Sequence, residues 1–434
     1  MSNHQEVSNI LEKHALFLSG KPGGIRAGFK LKNLTKINLS GRDLRQADFS
    51  GATLFGVQMK DSRLNEATLF CADMRLCNLN RADLTRADLR GACLRGATLS
   101  DCVMAEVDLR EGQLFSGGDA DGMELSGGAT DLSNISARNV DLSRAVATKT
   151  AMMHADLTDA VMRGARFDSA KMTNAILVGC DMREMDLTGA DLSGARLQGA
   201  TLSGSGLDGA ILHNAQLIGA IVDQDELAHA NLDGAIMART PKDSGVDLMD
   251  VIDQHGFWVD SAGKRGRRAD LTRLDLSGSH LSSANLAAAH LACVVMHHAD
   301  LSGALLAMAD LQLSDLREVN FVNADLRGAN LDRATFTRAR LSGAQFGPMV
   351  ITGPNNQVWS SSLIGARFDF ADLTKADFTS ARLRNASFCG ADLTDANFSH
   401  ADLTGADFTG ANYECAEFSG ATMHAVRGIP SALH

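Results

Sequence analysis

The chain has 434 residues, with 41 Lys and Arg against 52 Asp and Glu, a formal net charge of −11. A duplex repels an acidic protein, so this balance excludes a surface generally suited to nucleic acid. Hydrophobic residues make up 45%, which excludes intrinsic disorder, but 5% aromatics and 5 Pro beside 41 Gly do not describe the core of an ordinary globular enzyme.

Residues 1–20, MSNHQEVSNILEKHALFLSG, hold no basic stretch leading into a long apolar run, so no signal peptide is expected. No later stretch approaches the roughly 18 consecutive apolar residues of a membrane helix, so neither a membrane span nor a membrane partner is expected. Cys71, Cys77, Cys93, Cys102, Cys180, Cys293, Cys389 and Cys415 form no CxxC pair. Free thiols in a reducing cytoplasm are therefore the expectation.

From residue 39 onward a five-residue unit dominates. Leu79, Leu84, Leu89, Leu94 and Leu99 recur at this interval, with Ala82, Ala87, Ala92 and Ala97 two residues before a Leu and Asp83 or Asp88 between them. The unit reads A-(D/N)-(L/F)-x-x. On an α-helix successive Leu would step by about 140° net and scatter around the cylinder. In a continuous strand an odd period would throw them onto alternate faces. Within one unit, however, Ala and Leu are two apart and share one side of a short extended segment. The two following residues then turn the chain, and Gly is frequent at the second: Gly189, Gly194, Gly199, Gly204, Gly209. Short strand and turn, repeated in one sense, give a coil with Ala and Leu inside, and stacked coils pair as parallel strands.

On these residues the chain resembles the pentapeptide repeat proteins. The resemblance implies an all-β fold, a right-handed quadrilateral parallel β-helix with four units per coil. It also implies a binding role, since family members that bind DNA gyrase resemble duplex DNA in size, shape and charge.

The register breaks three times. Leu-type centres run from Leu39 to Leu114, Leu132 to Met237, Leu271 to Phe346 and Leu363 to Met423. Residues 115–131 and 347–362 read as protruding loops. The break at 238–270 contains VIDQHGFWVDSAGKRGRRA (251–269), which resembles ILEKHALFLSGKPGGIRA (10–27) with one insertion. His14 matches His255, Phe17 matches Trp258, and Arg26-Ala27 matches Arg268-Ala269. Each copy precedes a repeat run and reads as a short helical cap that covers an open coil. The expected organisation is two tandem rods: a cap at 1–30 with a β-helix at 31–240, then a cap or connector at 241–270 with a β-helix at 271–434. An exposed β-helix end, or the C-terminal VRGIPSALH, offers a surface for pairing with a second copy.

In the last run Phe368, Phe378, Phe388, Phe398, Phe408 and Phe418 alternate with Leu373, Leu383, Leu393, Leu403 and Tyr413. With four units per coil they fall into two interior ladders on opposite walls. Arg42 and Asp225 occupy inward positions that do not suit them, which points to frayed coils near the run ends.

Walker A, GxGxxG between strand and helix, and HExxH are all absent from the sequence, so no enzyme activity, cofactor or catalytic residue is expected. His297-His298 with His290 is the best metal candidate, but no carboxylate or Cys at ligand spacing accompanies it, so no metal is expected. Charge is the remaining clue. Folding the last run at four units per coil puts Asp372, Asp392, Asp395 and Glu414 on one face and Asp377 and Glu417 on the adjacent one. Arg367, Arg382 and Arg384 fall on the other two. The expected function is a non-enzymatic scaffold for a protein partner. The alternative is a DNA mimic that binds gyrase through this acidic stripe.

Overall fold

The computed structural model describes residues 3–116, 124–351 and 357–430. The chain divides into two compact units, Met1–Ile236 and Met237–His434. Among the described residues, these elements stand apart from the repeat in chain order: α1 (Asn3–Leu18), β1 (Gly112–Ser116), β2 (Glu124–Gly128), α2 (Gln224–Leu227), α3 (Leu248–Asp260), β3 (Met349–Ile351) and β4 (Gln357–Trp359). No helix among the described residues is long and apolar enough to cross a membrane.

The repeat builds its own geometry. Ala82 and Leu84 point inward and are buried. Ahead of them the Ala82 amide donates to the Leu79 carbonyl at 2.8 Å, closing a β-turn whose second central residue, Arg81, sits at φ +59°. Gly takes this place in many turns, and elsewhere Asn, Arg or Asp tolerates it. The outward Asp also has a structural task. Asp83 accepts from the Thr85 amide at 3.0 Å and from its hydroxyl at 2.6 Å. Asp48, Asp191, Asp372 and Asp392 bind the residue two further on in the same way. The repeat thus prefers Asp or Asn because the side chain braces the next turn.

Stacking is fixed by backbone pairing. Arg63, Asp83 and Val103 lie side by side in parallel, each one coil from the next. The Leu84 amide donates to the Val103 carbonyl of the following coil at 2.7 Å, and the Asp83 amide donates to the Ser62 carbonyl of the preceding one at 3.0 Å. Four such columns follow one another, one unit apart, at Asp48, Thr53, Gln58 and Arg63, before Thr68 returns to the first. The result is the right-handed quadrilateral β-helix expected from the repeat. Its first unit starts earlier than the sequence suggested, since Phe29 and Leu34 are fully buried in the first coil.

Two of the breaks are hairpins set into an unbroken stack. Cys93 pairs with Asp131, so the first insertion lengthens a single coil and leaves its neighbours in register. Asn330 pairs with Ser362 across the second insertion in the same way. The expected loops are antiparallel ribbons, β1 with β2 and β3 with β4. Leu114 consequently belongs to β1 and not to the coil. The same device anchors both hairpins. A hydroxyl stands at the inward position just after each: Thr130 Oγ1 accepts the Gly91 amide at 2.9 Å, and Ser361 Oγ accepts the Gly328 amide at 2.9 Å. Both residues are fully buried, and each hydroxyl donates to the carbonyl at which its hairpin departs, Arg110 at 2.8 Å and Gly347 at 3.2 Å.

The two helical caps repeat each other closely at their centres. α1 covers the first core through Val7, Ile10 and Leu11, and α3 covers the second through Leu248, Val251 and Ile252. His14 Nδ1 accepts the Ala27 amide at 3.1 Å, and His255 Nδ1 accepts the Ala269 amide at 3.0 Å. Each ring stacks on an aromatic one turn later, Phe17 at 5.8 Å and Trp258 at 5.5 Å between centroids. Arg26 and Arg268 each donate to a carbonyl one coil down, Gln46 and Ala288. Nε2 of both histidines forms no hydrogen bond, although the backbone of Arg45 or Ala287 favours its charged form.

Arg42 is exposed, yet its coil does not fray: the Arg42 amide donates to the Leu39 carbonyl at 3.3 Å, the Leu44 amide donates to the Arg63 carbonyl at 2.7 Å, and Leu44 stays fully buried. Asp225 lies in α2, a helical turn that replaces one strand of the last coil and seats Leu227 in the core. Within the C-terminal segment Ile429 is buried against the final coils, while residues 431–434 lie outside the described residues.

Burial holds the His14 and His255 imidazoles below their usual pKa. Below about pH 6.5 the unfolded chain takes up protons that the buried rings refuse, so stability falls as pH drops. Hydrogen-exchange protection of the Ala27 and Ala269 amides is expected to decline between about pH 7 and 5.5; pH-independent protection would contradict this.

The phenylalanine ladders are longer than the sequence implied. One runs Phe336, Phe368, Phe388, Phe408 with rings 4.7 to 5.1 Å apart. The other runs Phe346, Phe378, Phe398, Phe418 at 4.6 to 5.3 Å. The two meet edge to face across the lumen, as Phe378 and Phe388 do at 5.9 Å. Phe388→Ala removes a ring from both contacts and should cost about 3–5 kcal/mol in denaturant unfolding. A loss below about 1 kcal/mol would mean that the ladder does not carry this unit's stability.

Candidate functional site

Four-sided coils present flat columns of outward side chains, and the second unit carries the features that distinguish it from plain repeat. The acidic residues expected to form a stripe fall into defined columns. Arg340, Asp372, Asp392 and Asn412 stack on one face; Gln345, Asp377, Asn397 and Glu417 stack on the next. Asp372 therefore does lie over Asp392, but the column is closed above by an arginine and below by an amide. Asp377 and Glu417 are separated by Asn397. Asp395 and Glu414 stand at a corner, joined through a backbone bond of 3.0 Å. The remaining faces are not purely basic. Arg382 stacks on Asp402, and Ser387 on Asp407. Arg384, assigned to a basic face, is bonded to Asp402. The sequence reading omitted Asp402 and Asp407, and so made the acidity more one-sided than it is.

The carboxylates are also partly occupied. Asp372, Asp377 and Asp392 each accept the amide and hydroxyl of a Thr two residues on. Asp392 accepts the Asn412 side chain as well, at 3.2 Å.

The β3–β4 hairpin is the feature that sequence reading recognised least. It projects at the corner of Gly328, where Met349 and the Trp359 carbonyl come within 3.0 and 3.2 Å of the space a Cβ would occupy. Val350, Ile351, Val358 and Trp359 are all exposed, the least of them 41%. Pairing places Val350 opposite Val358, next to Met349 opposite Trp359. Four large apolar side chains on one short ribbon contrast with the rod faces, where Asp, Asn, Thr, Ser and Arg predominate. The signal in the sequence was MVI and VWSSS on either side of a segment carrying Gly, Pro and Asn.

The histidine cluster is a correction. His290 lies in a column between Asp270 and Asp310 and does not join the pair. Glu318 does, from one coil further on, and it is the carboxylate whose apparent absence argued against a metal. The one-coil interval from His298 to Glu318 was the usable signal.

The inward cysteines are inert core. Cys77 and Cys102 donate to the carbonyls of Leu54 and Leu79 at 2.9 and 2.7 Å, and burial pushes both thiols up to about 12.

A β-helix whose coil sides are built from A-(D/N)-(L/F)-x-x units, four to a coil, defines a class of protein by itself. The model of that class, pentapeptide repeats, matches residues 33–69, 71–113, 129–224, 269–306, 309–347 and 359–427, and the chain belongs to the pentapeptide repeat family. Among solved structures the chain is similar to QnrB1, a plasmid-mediated fluoroquinolone resistance protein. That match has 17% identity over 47% of this chain and 94% of the other, with a TM-score of 0.26. It is similar to HetL, a pentapeptide repeat protein involved in heterocyst differentiation regulation in the cyanobacterium Nostoc sp. strain PCC 7120. Here identity is 21% over 95% of this chain and 94% of the other, with a TM-score of 0.12. A pentapeptide repeat protein from the Arabidopsis thaliana thylakoid lumen matches at 27% identity over 31% of this chain and 64% of its own, with a TM-score of 0.12. No curated protein matches.

Proposed function

We propose that this chain is a non-enzymatic scaffold that binds a protein partner, with the β3–β4 hairpin as its recognition element. The observation that carries the reading is the exposed apolar set on that hairpin, Val350, Ile351, Val358 and Trp359. Apolar area of this kind gains most when another surface covers it, and Trp is among the residue types most often central to such contacts. The coil beneath holds the ribbon in place, since the Ser361 hydroxyl ties the base to the Gly328 amide. A preorganised ribbon loses little entropy on binding. The reading places the protein in the cytoplasm, in keeping with eight free cysteines.

The test is affinity purification from the native cell with mass spectrometry, comparing the intact chain with a V358S/W359S variant. Both substitutions are at exposed positions, so the fold should survive. The variant is expected to lose the main partner; equal recovery would remove the hairpin from the account.

A second reading, binding of DNA gyrase by mimicry of duplex charge, rests on Asp372 lying over Asp392 with Asp377, Asp395, Glu414 and Glu417 nearby. Arg340, Asn397 and Asn412 in the same columns reduce the likeness to a phosphate backbone. An effect of the purified protein on gyrase supercoiling, lost in D372N/D392N, would favour this reading over the hairpin.

A further inference from the structure

Corner turns of the second unit lie one above the next, so the second turn residue of one coil stands over its counterpart in the following coil. His298 and Glu318 occupy two such places, at φ +58° and +55°. Backbone bonds fix both corners: the His298 amide donates to the Arg317 carbonyl at 3.3 Å, and the Glu318 amide to Thr337 at 3.1 Å. His298 Nδ1 lies 3.4 Å from one carboxylate oxygen of Glu318, and His297 Nε2 lies 3.8 Å from the other. The two imidazoles stack with centroids 4.0 Å apart. One ligating atom from each of the three side chains falls within 4.8 Å of the others.

We propose that His297, His298 and Glu318 form a binding site for one divalent transition-metal ion of borderline softness, with Zn²⁺ as the type. Two imidazole nitrogens and one carboxylate oxygen are a donor set suited to such an ion, and they leave a fourth position open. A tetrahedral ion about 2.0–2.2 Å from each donor needs them roughly 3.3 Å from one another. The 3.4 Å contact of His298 with Glu318 is already close to this, whereas the 3.8 Å contact of His297 goes to the other carboxylate oxygen, so the stacked rings and the carboxylate must rotate to converge on one ion. The rings face solvent at the corner, which gives the ion an entry path.

The charges around the site are compatible. Arg317 is the adjacent cation, but Asp315 holds it through two bonds of 2.8 Å and offsets its charge. The coil before contributes Ser277 and Gly278 and the coil after contributes Thr337 and Arg338, and among the described residues no fourth His, Cys, Asp or Glu joins the group. A bound ion would join the coil of His297 to the coil of Glu318, and its open position would accept water or a donor from a bound protein.

The test is calorimetric titration of the full chain with Zn²⁺ at about pH 7.5, with Cu²⁺ paramagnetic resonance as an independent readout. One equivalent is expected to bind, with two nitrogen ligands in the Cu²⁺ spectrum. Affinity should fall by about tenfold or more in H298A and in E318Q. The variant H213A, at the separate His213–Asp233 pair, should bind as the parent does. Unchanged melting of the metal-free variants would show that the fold is intact. Binding that is equal in parent, H298A and E318Q, or no binding at roughly 0.1 mM Zn²⁺, would overturn the proposal.

Discussion

The backbone hydrogen bond between successive coils is the constraint on which the rest depends. Each short segment is bonded on both sides: the Leu84 amide donates to Val103 in one neighbouring coil, and the Asp83 amide donates to Ser62 in the other. The bonds can form only if every side of the coil uses five residues. That requirement selects the turn residue at positive φ, the Asp that braces it, and the small and large inward side chains that alternate along each wall. The interior is a narrow column of Ala with Leu, Met or Phe, because a turn closed after so few residues leaves no room for a thicker core. This is the physical reason for the scarcity of aromatics in so long a chain.

The same constraint explains how the chain accommodates additions. A hairpin can leave a corner and return to it without moving the coils above or below, provided the backbone groups at the exit are satisfied. Thr130 and Ser361 supply that satisfaction from inward positions that Ala would otherwise hold. The corners are therefore where a rigid repeat acquires individuality. The exposed apolar ribbon and the His297–His298–Glu318 cluster both sit at corners, and both are held by coils that cannot relax independently. At the start of each unit, helices α1 and α3 cover a first coil, with a buried imidazole in each completing the backbone bonding of the entering strand.

Most of the fold was legible because period five is incompatible with both a helix and a continuous strand, which leaves a coil as the remaining solution. The duplicated cap was legible from His14 and His255, but nothing in the residue order indicates that Nδ1 of each ring receives a main-chain amide. The hairpins were less legible. Glu124–Gly128 carries no alternation of apolar and polar residues, so its pairing with Gly112–Ser116 depends on the backbone alone. The site was only partly visible. Folding the sequence at four units per coil placed Asp372 over Asp392 but missed that their oxygens brace turns and that Asp402 and Asp407 occupy other faces. Linear proximity suggested His290 as a companion to His297 and His298, whereas the coil period brings in Glu318.

The central claim, that coils of four units stack in parallel straight past the inserted hairpin, is open to one direct distance measurement. Thr53, Asp73, Cys93, Asp131, Ala151 and Lys171 form one column in the first unit. Spin labels at Thr53 and Lys171, with the accessible native cysteines replaced by Ser, should therefore lie roughly 24 Å apart, five steps of about 4.8 Å. A narrow distribution centred near that value is the predicted result. A broad distribution, or one centred well beyond roughly 35 Å, would contradict the stacking on which the whole account rests.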